Sequence, residues 1–153
     1  MDEYQDYRVI QELALLLDHA DRLILSQFHL NTIQYNALLL LNTEEGWRLT
    51  DLSERLICER STVTRLVDYL ESEGLILRCA DSTDRRSQRV TLTSAGLATR
   101  DQAQAAVEQA IRERFSVLSR EEVHQLLDMH RRLRAVIFVE VERGTRELTD
   151  KKS

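Results

Sequence analysis

The chain of 153 residues has no proline, two cysteines, four glycines and an aromatic content of only 5%. Proline removes a backbone donor and its ring clashes with the preceding turn, so a chain without it can carry several uninterrupted helices. Cys58 and Cys79 are too few for a disulfide framework or a four-ligand zinc site. His124 and His130 lie six residues apart and so point to different helix faces; no metal and no cofactor is expected. Four glycines supply no phosphate-cradling loop, and no nucleophile elbow or Cys/His spacing of a catalytic metal is present, which argues against an enzyme. No apolar run approaches the ~20 residues that cross a bilayer, since Leu13–Leu17 is broken at once by Asp18. The acidic start, Met1-Asp2-Glu3, lacks the basic opening of a signal peptide. A soluble, reduced, cytoplasmic protein that makes no use of a membrane is the expectation.

What is present is charge and helical periodicity. Hydrophobic residues make up 42% and charged residues 31%, too apolar for a disordered chain, and the net charge is −5. Of the 21 basic residues all but Lys151 and Lys152 are arginine, whose planar fork suits carboxylate and phosphate partners.

The 3.6-residue period of Ile10, Leu13, Leu17 and Ile24 predicts one helix over 4–28. Asn31 with Gln34 three positions later forms a capping-box pattern that opens a helix from Thr32 to about Thr43. Trp47-Arg48-Leu49 reads as a scrap of strand, and Thr50 is placed to cap a short helix through Leu52 and Leu56. A second helix follows over 60–73, with Gly74 where a left-handed cap is wanted. The β-prone Leu75–Cys79 and the alternating Arg89–Leu92 flank a polar stretch, 81–87, and together predict a hairpin with a long charged tip. Two further helices are expected: one opened by Thr93 or Ser94 with Ala103, Ala106, Val107, Ala110 and Ile111 on one face, and one from the Ser119-x-x-Glu122 box to about Glu142. The fold class read from this order is mainly α, with a small β-hairpin.

Within 50–73, Val63, Leu66, Val67 and Leu70 define one buried stripe, and Ser61, Thr62, Thr64, Arg65 and Asp68 occupy the other side. Such a helix is either ordinary and amphipathic with a wet polar face, or fits the major groove, where these side chains can bond base edges and phosphates. The hairpin favours the second reading. Its tip is longer than a two-residue turn and gathers Arg85, Arg86 and Arg89, and arginines on a thin ribbon can enter the minor groove. Asp84 beside them either holds a guanidinium or serves as a surface counter-charge.

In Leu49-Thr50-Asp51-Leu52-Ser53-Glu54-Arg55-Leu56, Ser61–Glu71, Gly74-Leu75-Ile76, Asp81-x-x-Asp84-x-Arg86 and Val90-Thr91-Leu92-Thr93-x-x-Gly96, taken in order, the sequence resembles the MarR family of bacterial transcriptional regulators. The resemblance implies a mainly α fold: a winged helix-turn-helix DNA-binding region over 31–93 with a small β-hairpin wing, and a helical dimerisation region over 1–30 and 94–153. It implies a homodimer on a pseudo-palindromic double-stranded operator, acting as a repressor relieved by a small phenolic or aromatic acid. Thr50, Arg60, Ser61, Thr62, Thr64, Arg65, Asp84, Arg85, Arg86 and Arg89 are the expected DNA-binding residues. By the resemblance, Ser61, Thr62, Thr64 and Arg65 match the surface that enters the major groove, Arg86 the wing arginine that reaches the minor groove, and Asp84 the acid that orients it. There are departures from the pattern. Thr83 stands where wings usually carry arginine, Ile57 where a turn glycine is common, and Glu59, a poor cap, where a short Ser or Asp often opens the recognition helix. Residues 46–93 hold eight basic and eight acidic groups, so the winged segment is neutral and the negative charge lies elsewhere.

Three other features carry alternatives. Cys58 precedes the recognition helix, where amides can depress a thiol pKa, so it is either a redox switch or a small turn residue. Tyr35, Leu38 and Trp47 are apolar candidates for an effector pocket and equally good core residues. Val136, Ile137, Phe138 and Val139 make the last helix apolar all round and, with Tyr4, Tyr7 and Ile10, are the expected dimer interface. A dimeric interaction module of the same fold without DNA binding is the alternative from another functional class.

Overall fold

The computed structural model describes residues 2–81 and 88–150, the side chains of 145–150 apart. The wing-tip residues Asp84, Arg85 and Arg86 therefore lie outside the described residues. The chain forms two compact units, Met1–Gln109 and Ala110–Ser153.

The first unit opens with α1 (Glu3–Ser26), whose N-terminus is capped by the Asp2 carboxylate accepting from the Tyr4 amide at 3.2 Å. Its apolar stripe is not core: Tyr4, Tyr7, Ile10 and Leu13 are each more than half exposed, and burial begins only at Leu25. Helix α2 (Thr32–Leu40) carries the expected capping box, with Asn31 accepting from the Gln34 amide at 2.9 Å and Gln34 accepting from the Asn31 amide at 2.8 Å. It stops short of the expected Thr43 because Asn42 turns the chain: its side-chain oxygen accepts the amides of Glu44 and Glu45, a local bond that competes with helix.

Strand β1 (Trp47–Arg48) leads directly into α3 (Leu49–Leu56), followed by α4 (Arg60–Ser72), β2 (Ile76–Ala80) and β3 (Gln88–Leu92). The strands form an antiparallel sheet in the order β1-β3-β2, with Trp47 opposite Val90 and Ile76 opposite Leu92. The core is built where these elements meet, from Leu25, Leu38, Leu52, Val63, Val67, Leu70, Ile76 and Val90 among others. All four residues of the α4 stripe are buried, as the period requires.

Helix α4 ends in a left-handed cap at Gly74, φ 69°, with the Leu75 amide on the Leu70 carbonyl at 2.9 Å and the Gly74 amide on that of Glu71, the Schellman pairing. Thr93 then joins two helix ends. Its hydroxyl donates to the Gly74 carbonyl at 2.7 Å and accepts from the Gly96 amide at 2.9 Å, capping α5 (Ser94–Phe115). Gly96 is required there by contact, since a Cβ would stand 1.9 Å from the Leu75 carbonyl oxygen.

The second unit consists of the end of α5 and α6 (Arg120–Asp150). The Ser119–Glu122 capping box forms in both directions. Helix α6 runs past the expected end near Glu142, because no proline stops it and Gly144 alone costs only about 1 kcal/mol in a helix. Val136, Ile137, Phe138 and Val139 are all half or more exposed. No helix among the described residues is long and apolar enough to cross a membrane.

Candidate nucleic-acid interface

Helices α3 and α4 and the turn between them form the helix-turn-helix. At the corner, Ile57 adopts φ 52° and ψ 49°. The left-handed region is one that β-branched residues rarely enter, because Cβ crowds the following carbonyl. The Cys58 amide reaches back to the Ser53 carbonyl at 3.2 Å and closes the turn. Thr50 was expected to cap α3, but it is the second residue of the helix and its hydroxyl donates to Asp51 at 3.2 Å. The cap position belongs to Arg48, held in extended geometry by pairing with β3, and it makes no side-chain capping bond.

On α4, Ser61, Thr62, Thr64 and Arg65 share the exposed side, opposite the buried stripe, and Arg60 is exposed at the helix start. The Thr64 hydroxyl donates to the Arg60 carbonyl at 3.0 Å, leaving its oxygen lone pairs outward. Arg60 and Arg65 make no ion pair with any described residue. Glu59 occupies the cap without a side-chain bond, in keeping with the longer reach of glutamate.

The root of the wing is organised by a residue that the sequence places in the polar tip. Asp81 is 2% exposed. One of its carboxylate oxygens accepts from Arg48 Nε at 2.7 Å and from Arg89 Nε at 3.0 Å, so an acid leaving β2 joins guanidiniums on β1 and β3. Arg48 and Arg89 are cross-strand partners; like charges directly opposite repel, and Asp81 relieves that repulsion. Arg89 also donates to the Gly46 carbonyl. A Cβ on Gly46 would come within 2.7 Å of Arg89 Cβ. Arg89, expected at the DNA, makes these bonds at the wing root with its side chain still partly exposed. The signal was available only as a register: once β1 is laid against β3, the two arginines demand an acid between them.

Arg78 on β2 bridges Asp68 and Glu71 of α4. These bonds hold its pKa above the ordinary value, the hydrogen bond to Asp68 contributing most. The polar face of α4 therefore gives Asp68 to an internal ion pair and keeps Ser61–Arg65 outward.

The remaining candidates fall into the core. Tyr35 and Leu38 are buried and Trp47 packs against the same cluster. Burial, with smaller contributions from Glu108 and Asp21, pushes the Tyr35 phenol up. Burial also pushes the Cys58 thiol up, the opposite of the depression that helix amides would give. Among the described residues no group of three His, Cys, Asp or Glu side chains could hold a metal ion.

Comparison with known proteins agrees with this geometry. Residues 30–88 match the model described as "MarR family". The HTH-type transcriptional regulator PapX of Escherichia coli is 35% identical over 72 residues, 46% of this chain and 44% of that protein, so the match spans less than half of PapX. The homoprotocatechuate degradative operon repressor of Escherichia coli is 28% identical over 105 residues, covering 69% of this chain and 71% of the repressor. The transcriptional repressor CouR, solved bound to a 23-mer DNA duplex, superposes with a TM-score of 0.77 at 26% identity, covering 87% of this chain and 96% of CouR. The relatives are named as regulators or repressors of transcription, and over residues 30–88 the chain carries a segment similar to the MarR family on a winged helix-turn-helix fold.

Proposed function

We propose that the chain binds double-stranded DNA as a homodimer, each α4 in a major groove and each wing at the adjacent minor groove, and acts in the bacterial cytoplasm as a repressor. The observation that carries this reading is the outward face Ser61-Thr62-Thr64-Arg65 on a helix whose opposite face is wholly buried. Nothing in the core needs those side chains, and short hydroxyls beside a forked cation suit base edges and phosphates. The DNA-bound CouR supports it as a relative of the same fold.

Tyr4, Tyr7 and Ile10 on α1, and Val136, Ile137, Phe138 and Val139 on α6, leave apolar surface exposed on each helix. A second copy of the chain is the proposed cover for both, which sets two recognition helices about 34 Å apart on one side of the duplex. Relief by a phenolic or aromatic acid is the proposed control, supported by the operon named in the homoprotocatechuate repressor. The raised Cys58 thiol disfavours a redox switch.

A duplex carrying the region upstream of the protein's own gene, followed by fluorescence anisotropy, tests the reading. Arg65→Ala and Arg86→Ala should each cost about 1–3 kcal/mol of binding with folding intact. Release by homoprotocatechuate added to the complex tests the effector class. Absence of binding, with the dimer intact, would establish the interaction module instead.

A further inference from the structure

Among the described residues, α4 packs on α3 and the core along its whole length, but the side-chain hydrogen bonds and ion pairs that join it to other elements lie in its C-terminal half. On one side Arg78 of β2 holds Asp68 and Glu71. On the other, the Tyr69 hydroxyl donates to the His29 carbonyl at 3.1 Å, across forty residues of sequence. His29 lies in the corner that ends α1, at φ 55°. Its amide bonds the Ser26 carbonyl and the Leu30 amide folds back on that of Leu25. The left-handed peptide is what turns the His29 carbonyl away from α1 and toward α4. Ser61–Arg65, by contrast, have behind them only the apolar stripe and an unbonded Glu59 cap.

We propose that Tyr69 is a positioning residue that sets the angle of the recognition helix against α1 and thereby the half-site spacing the dimer reads. The inference rests on the dimeric DNA-binding reading above. In that reading α1 belongs to the dimer surface and α4 to the DNA, so a bond between the end of α1 and α4 fixes how the partner-facing and DNA-facing parts of one protomer are disposed. Tyr69 is 36% exposed, so water can replace its hydrogen bond in Tyr69→Phe. Folding then changes little, while the angle loses a constraint.

The test uses a palindromic duplex selected by the full-length protein from a random pool, with one base pair inserted or deleted at its dyad, and a single half-site duplex. For the wild type, changed spacing should weaken binding strongly. Tyr69→Phe should bind the selected palindrome about two- to tenfold more weakly, the range for one hydrogen bond. It should discriminate less between the three spacings, and it should bind the half-site within about twofold of wild type on the same scale. Equal weakening on every duplex, half-site included, overturns the proposal in favour of a structural or direct-contact role, as does an unchanged spacing preference. A wild type that selects no duplex, or ignores spacing, instead removes the dimeric DNA-binding reading and this inference with it.

Discussion

Replacing Ile57 with glycine and with alanine separates the opposing energies at the corner of the helix-turn-helix. Ile57 sits at φ 52° and ψ 49°, where an L side chain costs about 1–2 kcal/mol. Glycine removes that cost but loosens the unfolded chain, a loss of about 0.4–1 kcal/mol. Isoleucine fully buried would contribute about 1.5–3 kcal/mol, but at 83% exposure it holds only a small part of that. Central values leave about 0.5 kcal/mol in favour of Ile57→Gly, or roughly 1–2 °C in Tm for a chain of this size. Ile57→Ala keeps a Cβ in the left-handed region while losing the residual burial, so it should fall below the glycine variant. Urea unfolding at one fixed protein concentration measures the order, because association shifts apparent stability. An alanine variant as stable as the glycine variant would falsify the idea that this backbone stores strain.

Three further outcomes follow from the contacts. Gly96→Ala places a methyl 1.9 Å from a backbone oxygen that cannot move aside alone, and should destabilise by at least about 1–3 kcal/mol, read as a lower urea midpoint. Asp81→Asn should cost about 1–2 kcal/mol of stability, allowing for the partial exposure of Arg48 and Arg89. It should also weaken DNA binding in the same anisotropy assay; unchanged values in both would remove Asp81 as the wing's anchor. The Glu122 carboxyl is held below its ordinary range by the Ser119 amide and then its hydroxyl, so its contribution is full above the unfolded pKa and fades as pH falls through the folded one. Glu122→Gln should flatten that part of a stability profile between neutral and acidic pH, and a profile identical to wild type would refute it.

Periodicity and capping were legible because they are local. The α4 stripe is buried residue for residue, both capping boxes form, and Gly74 takes the left-handed cap. Residues held by distant partners were not. Thr50 looked like a cap because the pairing that makes Arg48 the true one lies with β3. Asp81 looked like a tip residue because its partners stand 33 residues before and 8 after it. The Tyr69–His29 bond has no sequence signature, since its acceptor is a backbone carbonyl. The α1 period correctly predicted a helix while its stripe faces outward over most of its length, because periodicity marks a face and not what covers it.

The internal use of arginine bears on how the winged segment would respond to ionic strength. Of its eight arginines, Arg48, Arg78 and Arg89 neutralise carboxylates of the same chain, and Arg55, Arg60 and Arg65 are the exposed described ones without such partners. Of these six, the latter three are the ones left to displace condensed cations from a duplex, at about −0.9 in the logarithmic slope per phosphate. Two copies would give a slope of about −5 before the tip arginines are added. With Arg85 and Arg86 counted on each copy the slope steepens to about −9, so potassium fluctuations inside a cell would move occupancy strongly, and the internal commitment of Arg48, Arg78 and Arg89 is what keeps the response from being steeper still.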